Sequence, residues 1–350
     1  VLLNWVALGL EDNKTGDDFT RLTRSVRSAM EKAKGGYAAV GIWGGHGLFA
    51  FRDPHGLRPL VLGKKIEEGR TSWMLASETS ALLFTGHIPV RDIAPGELVY
   101  LVPGLEPQTA ILREEKRAHC FFEWIYFSSA ESTIAHHGVH NVRLALGTAL
   151  AKSAQALMQH NELSVDVVVP VPDTSRPAAI ALAEGLGLPY RELLIKNRYV
   201  QRSFILPSQS QREKAVVQKL TPVREGLQGK RVLLVDDSIV RGTTSKRLIT
   251  LLKEAGAASV TLASTCPPIE HPCYFGIDFP DRGELISSRF NATELARELG
   301  AERVLFQELV ALQNALSDTP LCLGCLTGEY PHDVSAAAQR FRVQRAGRAP

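Results

Sequence analysis

Residues 232–244 read VLLVDDSIVRGTT, and this stretch constrains the fold more than any other. A run of apolar β-formers ends in two adjacent carboxylates, Asp236 and Asp237. Ser238, Arg241, Gly242, Thr243 and Thr244 follow, and SKRLITLLKEAG then carries helical spacing. A buried strand that runs through a short polar loop into a helix is half of a βαβ unit. Open parallel sheets bind ligands beyond the carboxyl ends of their strands. Two carboxylates side by side repel each other unless hydroxyl donors or a hard divalent cation bind them. The loop from Arg241 to Thr244 offers amides, hydroxyls and a helix N-terminus to an anion, and Gly242 permits close approach. Carboxylates for vicinal hydroxyls beside an amide cradle for phosphate describe a ribose 5-phosphate. A lone DD turn or a lone GTT cap would be ordinary punctuation; the whole string at one strand-to-helix junction is not.

The remaining pattern supports a parallel sheet. After about Cys120, HNVRLALGTALAKSAQALMQ reads as a helix, VDVVVPVP as a strand and RPAAIALAEGLG as a helix stopped by glycine. PYRELLI and SVTLAST add strands, and the strands are unbroken apolar runs, as in sheets covered on both faces. The earlier part differs. Residues 1–34 read as helical, YAAVGIWGGHGLFAFRDPHGLRPLVLG as hairpin strands, and WMLASETSALLF with GELVYLVPG as strands around a short helix. That is a mixed, largely antiparallel layer structure. The chain of 350 residues has room for both units. The class is α/β, with domains over 1–115 and 116–335 and a tail, 336–350, expected to be solvated and disordered.

Net charge is +3, from 40 basic and 37 acidic residues, which gives no reason to expect nucleic acid. No apolar run approaches the ~18 residues that span a bilayer, and no signal peptide opens the chain, so the expected compartment is the cytoplasm. Five cysteines, an odd count in a reducing compartment, argue against a disulfide framework.

The VLLVDDSIVRGTT string is similar to the phosphoribosyl pyrophosphate (PRPP) fingerprint of type I phosphoribosyltransferases. Asp236 and Asp237 match the acids that contact the ribose hydroxyls, and Ser238 and Arg241 to Thr244 the loop that holds the 5-phosphate. Asp173, Thr174 and Ser175, within PDTSR, take the position of the pyrophosphate loop. By itself that loop could equally be a Pro-Asp turn capping the next helix. Longer segments resemble one family, glutamine PRPP amidotransferase: KNRYVQRSFILPSQSQREKAV at 196–216, CFFEWIYFSSAES at 120–132, HPCYFGIDFPDRGELI at 271–286 and CLGCLTGEYP at 322–331. FRDPHGLRPLVLG and LASETSAL resemble the later half of its glutaminase domain.

The resemblance implies an N-terminal-nucleophile hydrolase domain, here partial, followed by a phosphoribosyltransferase domain. It implies an enzyme that makes phosphoribosylamine and pyrophosphate from PRPP and ammonia, the latter derived from glutamine. It adds Lys196, Arg198 and Arg202 to the PRPP site and magnesium on Thr174, Asp236 and Asp237. Purine nucleotides are implied as feedback inhibitors and a homotetramer as the assembly. Cys120, Cys273, Cys322 and Cys325 match positions that hold a 4Fe–4S cluster in one branch; structural zinc and plain buried thiols are the alternatives. Cys266 is left as an ordinary buried thiol. Val1 stands inside an apolar helical pattern, and no cysteine precedes Cys120. The family's N-terminal nucleophile is therefore not present, the chain reads as truncated, and glutaminase activity is expected to be absent. Asp53 and Arg58 are read as structural. A PRPP-sensing regulator without turnover and a nucleobase salvage enzyme are the competing readings.

Overall fold

The computed structural model describes residues 1–197, 220–279 and 281–346, with side chains through residue 340. Alternating apolar residues in the first domain form seven strands: β1 (Ala38–Trp43), β2 (Gly47–Arg52), β3 (Val61–Glu67), β4 (Arg70–Ala76), β5 (Ile88–Asp92), β6 (Glu97–Leu101) and β7 (Gln108–Ile111). All their pairings are antiparallel, in two sheets ordered β1-β2-β6-β7 and β4-β3-β5. Helices α1 (Leu2–Asp12) and α2 (Asp18–Lys32) cover one face of the first sheet. There Leu22, Val26 and Met30 pack on Phe49, Phe51, Leu98 and Tyr100. Each such side chain contributes roughly 1.5–3 kcal/mol through burial. Alternate residues, Ala50, Val99 and Leu101, meet Leu62 of the second sheet and Leu60 just before it. Helix α3 (Thr79–Phe84) closes the outer side, so close that a Cβ on Gly63 would lie 2.8 Å from the Leu82 methyls. The expected helical stretch 1–34 is therefore two helices. Asp17 ends the break between them by accepting the Thr20 amide at 2.8 Å as an N-cap.

The second domain alternates as expected: α4 (Val139–Gln159), β8 (Val167–Pro170), α5 (Arg176–Leu186), β9 (Arg231–Asp236), α6 (Thr243–Glu254), β10 (Ser259–Ser264), α7 (Ala292–Leu299) and β11 (Arg303–Phe306). The strands are parallel in the order β8-β9-β10-β11. β9 is central, with Val232 and Leu234 in the core on one face and Leu233 and Val235 in the core on the other. That is why it reads as an unbroken apolar run. α4 and α5 touch backbone to backbone: a Cβ on Gly147 would lie 2.1 Å from the carbonyl oxygen of Ala178.

Two expectations are corrected. PYRELLI is not a strand of this sheet. It meets β8 through a single bridge at Tyr190, then leaves to form a short hairpin, Leu194–Lys196 against Leu220–Pro222. The 336–350 tail is helical over Ser335–Ala346 rather than disordered. Its alanines and long side chains favour a helix even without a strong apolar face.

The domains are stitched by polar contacts near residues 128–135. Glu78 Oε2 accepts from the Ser129 amide at 2.8 Å and the Ser132 hydroxyl at 3.0 Å. Thr79 Oγ1 accepts from the Thr133 amide at 2.9 Å, and Asp92 Oδ2 from the Ala135 amide at 2.9 Å. Among the described residues no helix is long and apolar enough to cross a membrane.

Candidate active site

Register places the acids. β8 and β9 are parallel neighbours, with Pro170 opposite Val235, so the loops that leave them emerge side by side. Thr174, from the first loop, donates its hydroxyl to Asp237 Oδ2 at 2.7 Å. The Ser238 hydroxyl donates to Asp237 Oδ1 at 2.7 Å, and the Asp237 amide to Asp236 Oδ1 at 2.9 Å. Both acids are over nine-tenths buried. Burial, then repulsion from Asp237, holds the Asp236 carboxyl well above the usual carboxylate range. Burial also raises Asp237, opposed by the hydrogen bonds from Thr174 and Ser238 and by the nearby Arg143 guanidinium. A buried acid pair under this strain binds cations or hydroxyl donors with little competition from water.

The rest of the first loop surrounds this centre. The peptide bond between Pro172 and Asp173 is cis. Ser175 is buried, its hydroxyl donating to the Val171 carbonyl, so this side chain props the loop from within. Asp173 pairs with Lys196 and, at 2.7 Å, with Arg176. Burial works against these two cations, which together hold the Asp173 carboxyl below its ordinary range. Lys196 thus lies against this loop through its ion pair with Asp173. Arg198 and Arg202 lie outside the described residues, as does most of 196–216.

Gly242 has φ +76°, and a Cβ there would lie 2.3 Å from Ile286 Cδ1, so both backbone and space require glycine. Thr243 and Thr244 follow, exposed, in the first turn of α6, and no side chain caps that helix. Arg241 turns outward instead, its Nε donating to Glu284 at 3.1 Å.

Sequence reasoning missed Arg143. It is 4% exposed on α4, its Nε and Nη2 each donating at 2.8 Å, to the Trp124 and Ser128 carbonyls, and its charge bears on Asp237. The signal was available: an arginine among Val139, Val142 and Leu146 on the apolar stripe of a helix. A cavity of about 340 Å³ lies apart from these groups, between Pro268 and Phe306, and contains none of the acid-pair or 172–176 residues.

The cysteines form a second centre. Two short parallel strands, His119–Cys120 and Leu321–Cys322, bring Cys322 opposite Cys120. Cys120, Cys273, Cys322 and Cys325 then line one enclosed cavity with Leu57, Arg58, Phe275, Ile277 and Tyr330. Burial raises all four thiols, Cys322 to about 11. The Phe275 amide donates to Cys273 Sγ at 3.4 Å. Cys266 lies just past β10, fully buried in the same apolar cluster as Cys325, but does not line this cavity. Asp53 is structural, as expected: it accepts from the amides of Tyr37, His55, Leu57 and Arg58 at 3.0–3.3 Å.

A phosphoribosyl transferase domain is recognised over residues 144–274, which include both strand-end loops and the acid pair. Amidophosphoribosyltransferase of Methanothermobacter thermautotrophicus is 40% identical over 332 residues, covering 94% of this chain and 68% of that protein. The chain belongs to the amidophosphoribosyltransferase family. The Escherichia coli amidophosphoribosyltransferase is 44% identical over 285 residues, covering 81% of this chain and 56% of its own length. The Bacillus subtilis glutamine PRPP amidotransferase, solved in complex with ADP and GMP, superposes with a TM-score of 0.77 at 37% identity, covering 95% of this chain and 75% of that one. The chain thus spans a little over half to three quarters of the amidophosphoribosyltransferases it is similar to. Its fold is α/β, a phosphoribosyltransferase-type parallel sheet preceded by the layered N-terminal region.

Proposed function

We propose that this chain transfers the phosphoribosyl group of PRPP to ammonia, forming phosphoribosylamine and pyrophosphate. The observation that carries this is the meeting of Thr174, Asp236 and Asp237 at adjacent strand ends, in a member of this family. As the amine attacks the anomeric carbon, the sugar gains cationic character and pyrophosphate gains charge as it leaves. Asp236 and Asp237 accept hydrogen bonds from the ribose hydroxyls. The first turn of α6, with Thr243 and Thr244, holds the 5-phosphate. The 172–176 loop and Lys196 receive the pyrophosphate. Thr174, Asp236 and Asp237 form a hard-oxygen donor set suited to magnesium, which when bound supplies charge neutralisation to the leaving group.

Pyrophosphate release by the 350-residue chain tests the reading, with PRPP, magnesium and ammonium salts at high pH, then with glutamine, then with purine bases. Turnover with ammonia is expected, with no response to bases. Tight PRPP binding without turnover would favour the regulator, and turnover with a base the salvage enzyme.

The four-cysteine cavity is proposed to hold a 4Fe–4S cluster. Among the described residues no three His, Cys, Asp or Glu side chains gather closely enough for one ion. Four thiols around a shared apolar cavity suit a multi-metal group, whose ligands stand on different metal atoms. Iron and sulfide analysis of anaerobic protein checks this, and zinc in their place would refute it. Purine nucleotide binding, as in the B. subtilis complex with ADP and GMP, a homotetrameric assembly and a cytoplasmic location belong to the same reading.

A further inference from the structure

Among the described residues, Arg58 is the one permanently charged side chain lining the four-cysteine cavity. It comes from the N-terminal domain, whereas Cys273, Cys322 and Cys325 come from the far end of the chain. Its placement is over-determined. The Asp53 carboxylate fixes the turn that carries it, taking the Arg58 amide at 3.3 Å and the Leu57 amide at 3.1 Å. Nη1 donates to Glu123 Oε1 at 2.9 Å and Nη2 to the Phe275 carbonyl at 3.2 Å, while the guanidinium lies 5.5 Å from the centre of the Phe127 ring. Gly276, at φ +99°, leaves the space that Nη2 uses: a Cβ there would lie 3.3 Å from it.

Glu123 is 7% exposed and does not line the cavity. The cysteine ring therefore sees the two charges of one ion pair unequally. Both bear on Cys120, Glu123 the more strongly, whereas Arg58 bears also on Cys273 and Cys322. The walls between are Leu57, Phe275 and Ile277, so screening is weak.

We propose that Arg58 tunes the reduction potential of the cysteine-ligated cluster from outside its ligand set, raising it, and that Glu123 opposes it through the same ion pair. The proposal rests on the cluster reading given above. A cluster that accepts an electron becomes more negative, and a fixed cation beside it stabilises that state; a fixed anion does the reverse. The N-terminal domain thereby contributes to the electronics of a group whose ligands all lie in the other domain.

The test compares the wild-type chain with R58K, R58Q and E123Q after anaerobic reconstitution. Iron and sulfide are counted per chain, and midpoint potentials are taken from a redox titration followed by electron paramagnetic resonance. R58K, which keeps the charge, should titrate with the wild type. R58Q should shift to a more negative potential and E123Q to a more positive one. Packing damage alone would move both in the same direction or in neither, and that result overturns the proposal. Should R58Q fail to fold, the direction of the E123Q shift decides. A wild-type chain that assembles no cluster overturns the cluster reading itself, and is recognised by the absence of iron before any potential is measured.

Discussion

Arg143 is a cation on the buried face of α4, with no carboxylate in ion-pair contact among the described residues. Burial lowers its pKa, and Asp237 counters that. Its two carbonyl partners lose their donors if it is removed. Hydrogen bonds to charged groups are worth roughly 1.5–3 kcal/mol each, so losing both in Arg143→Met costs about 3–6 kcal/mol, partly offset by removing a buried charge, and the variant should be less stable in urea by about 2–4 kcal/mol. Lysine should not rescue it, because a single ammonium cannot span both carbonyls as the guanidinium fork does. Tyr37 gives the contrary case. Its hydroxyl is buried without a hydrogen-bond partner among the described residues. Burial, then the Asp53 charge, pushes its pKa up to about 12 from the usual 10. The folded chain therefore holds this proton where the unfolded chain has lost it. The contribution is fully present below pH ~10 and declines as pH rises from ~10 towards 12. Tyr37→Phe should leave stability near pH 7 unchanged and flatten the alkaline limb of the melting-temperature curve.

At the scale of elements, the acid pair and the α6 N-terminus depend on one tight loop. Gly242→Ala forces both a strained φ and a contact with Ile286, and should cost about 1–3 kcal/mol. On the proposed PRPP site it should weaken PRPP binding more than it lowers thermal stability, because it displaces the turn proposed to hold the 5-phosphate; equal losses would indicate packing alone. Asp237→Asn should abolish PRPP turnover with the melting temperature retained, read by pyrophosphate release and calorimetry. These elements were legible in the sequence because their signals are local. β9 is an unbroken apolar run, Gly187 stops α5 in a left-handed conformation, and Gly242 precedes two threonines. The meeting of Thr174 with Asp237 was also foreseeable, since both lie at strand ends of one parallel sheet. Illegible features depend on distant partners. The pairing of Arg241 with Glu284 draws on a segment whose path has no periodicity to read. PYRELLI carries strand-like residues, but the hairpin at Leu194–Lys196 pulls it off the sheet edge after one bridge.

At the scale of the whole molecule, Glu78, Thr79 and Asp92 fasten the layered domain to residues 129–135, which lead directly into α4. Glu78→Ala removes two acceptor contacts at once and leaves the Ser129 amide and Ser132 hydroxyl without that partner. The expected result is a split calorimetric transition, with the N-terminal layers melting first, and faster proteolysis near residue 130. A single sharp transition would mean that the remaining contacts, among them Thr79 with Thr133, Asp92 with Ala135 and Arg58 with Glu123, suffice to couple the domains. One feature of the architecture governs the order in which the protein can be made. Cys120 is opposed by Cys322, and Cys325 follows three positions later, so the thiol ring joins segments some two hundred positions apart along the chain. A nascent chain has made all four strands of its parallel sheet, the last ending at Phe306, before Cys322 and Cys325 are added, so the ring can close only after the sheet is complete in sequence. Any metal it takes up is therefore loaded after the sheet, not before it.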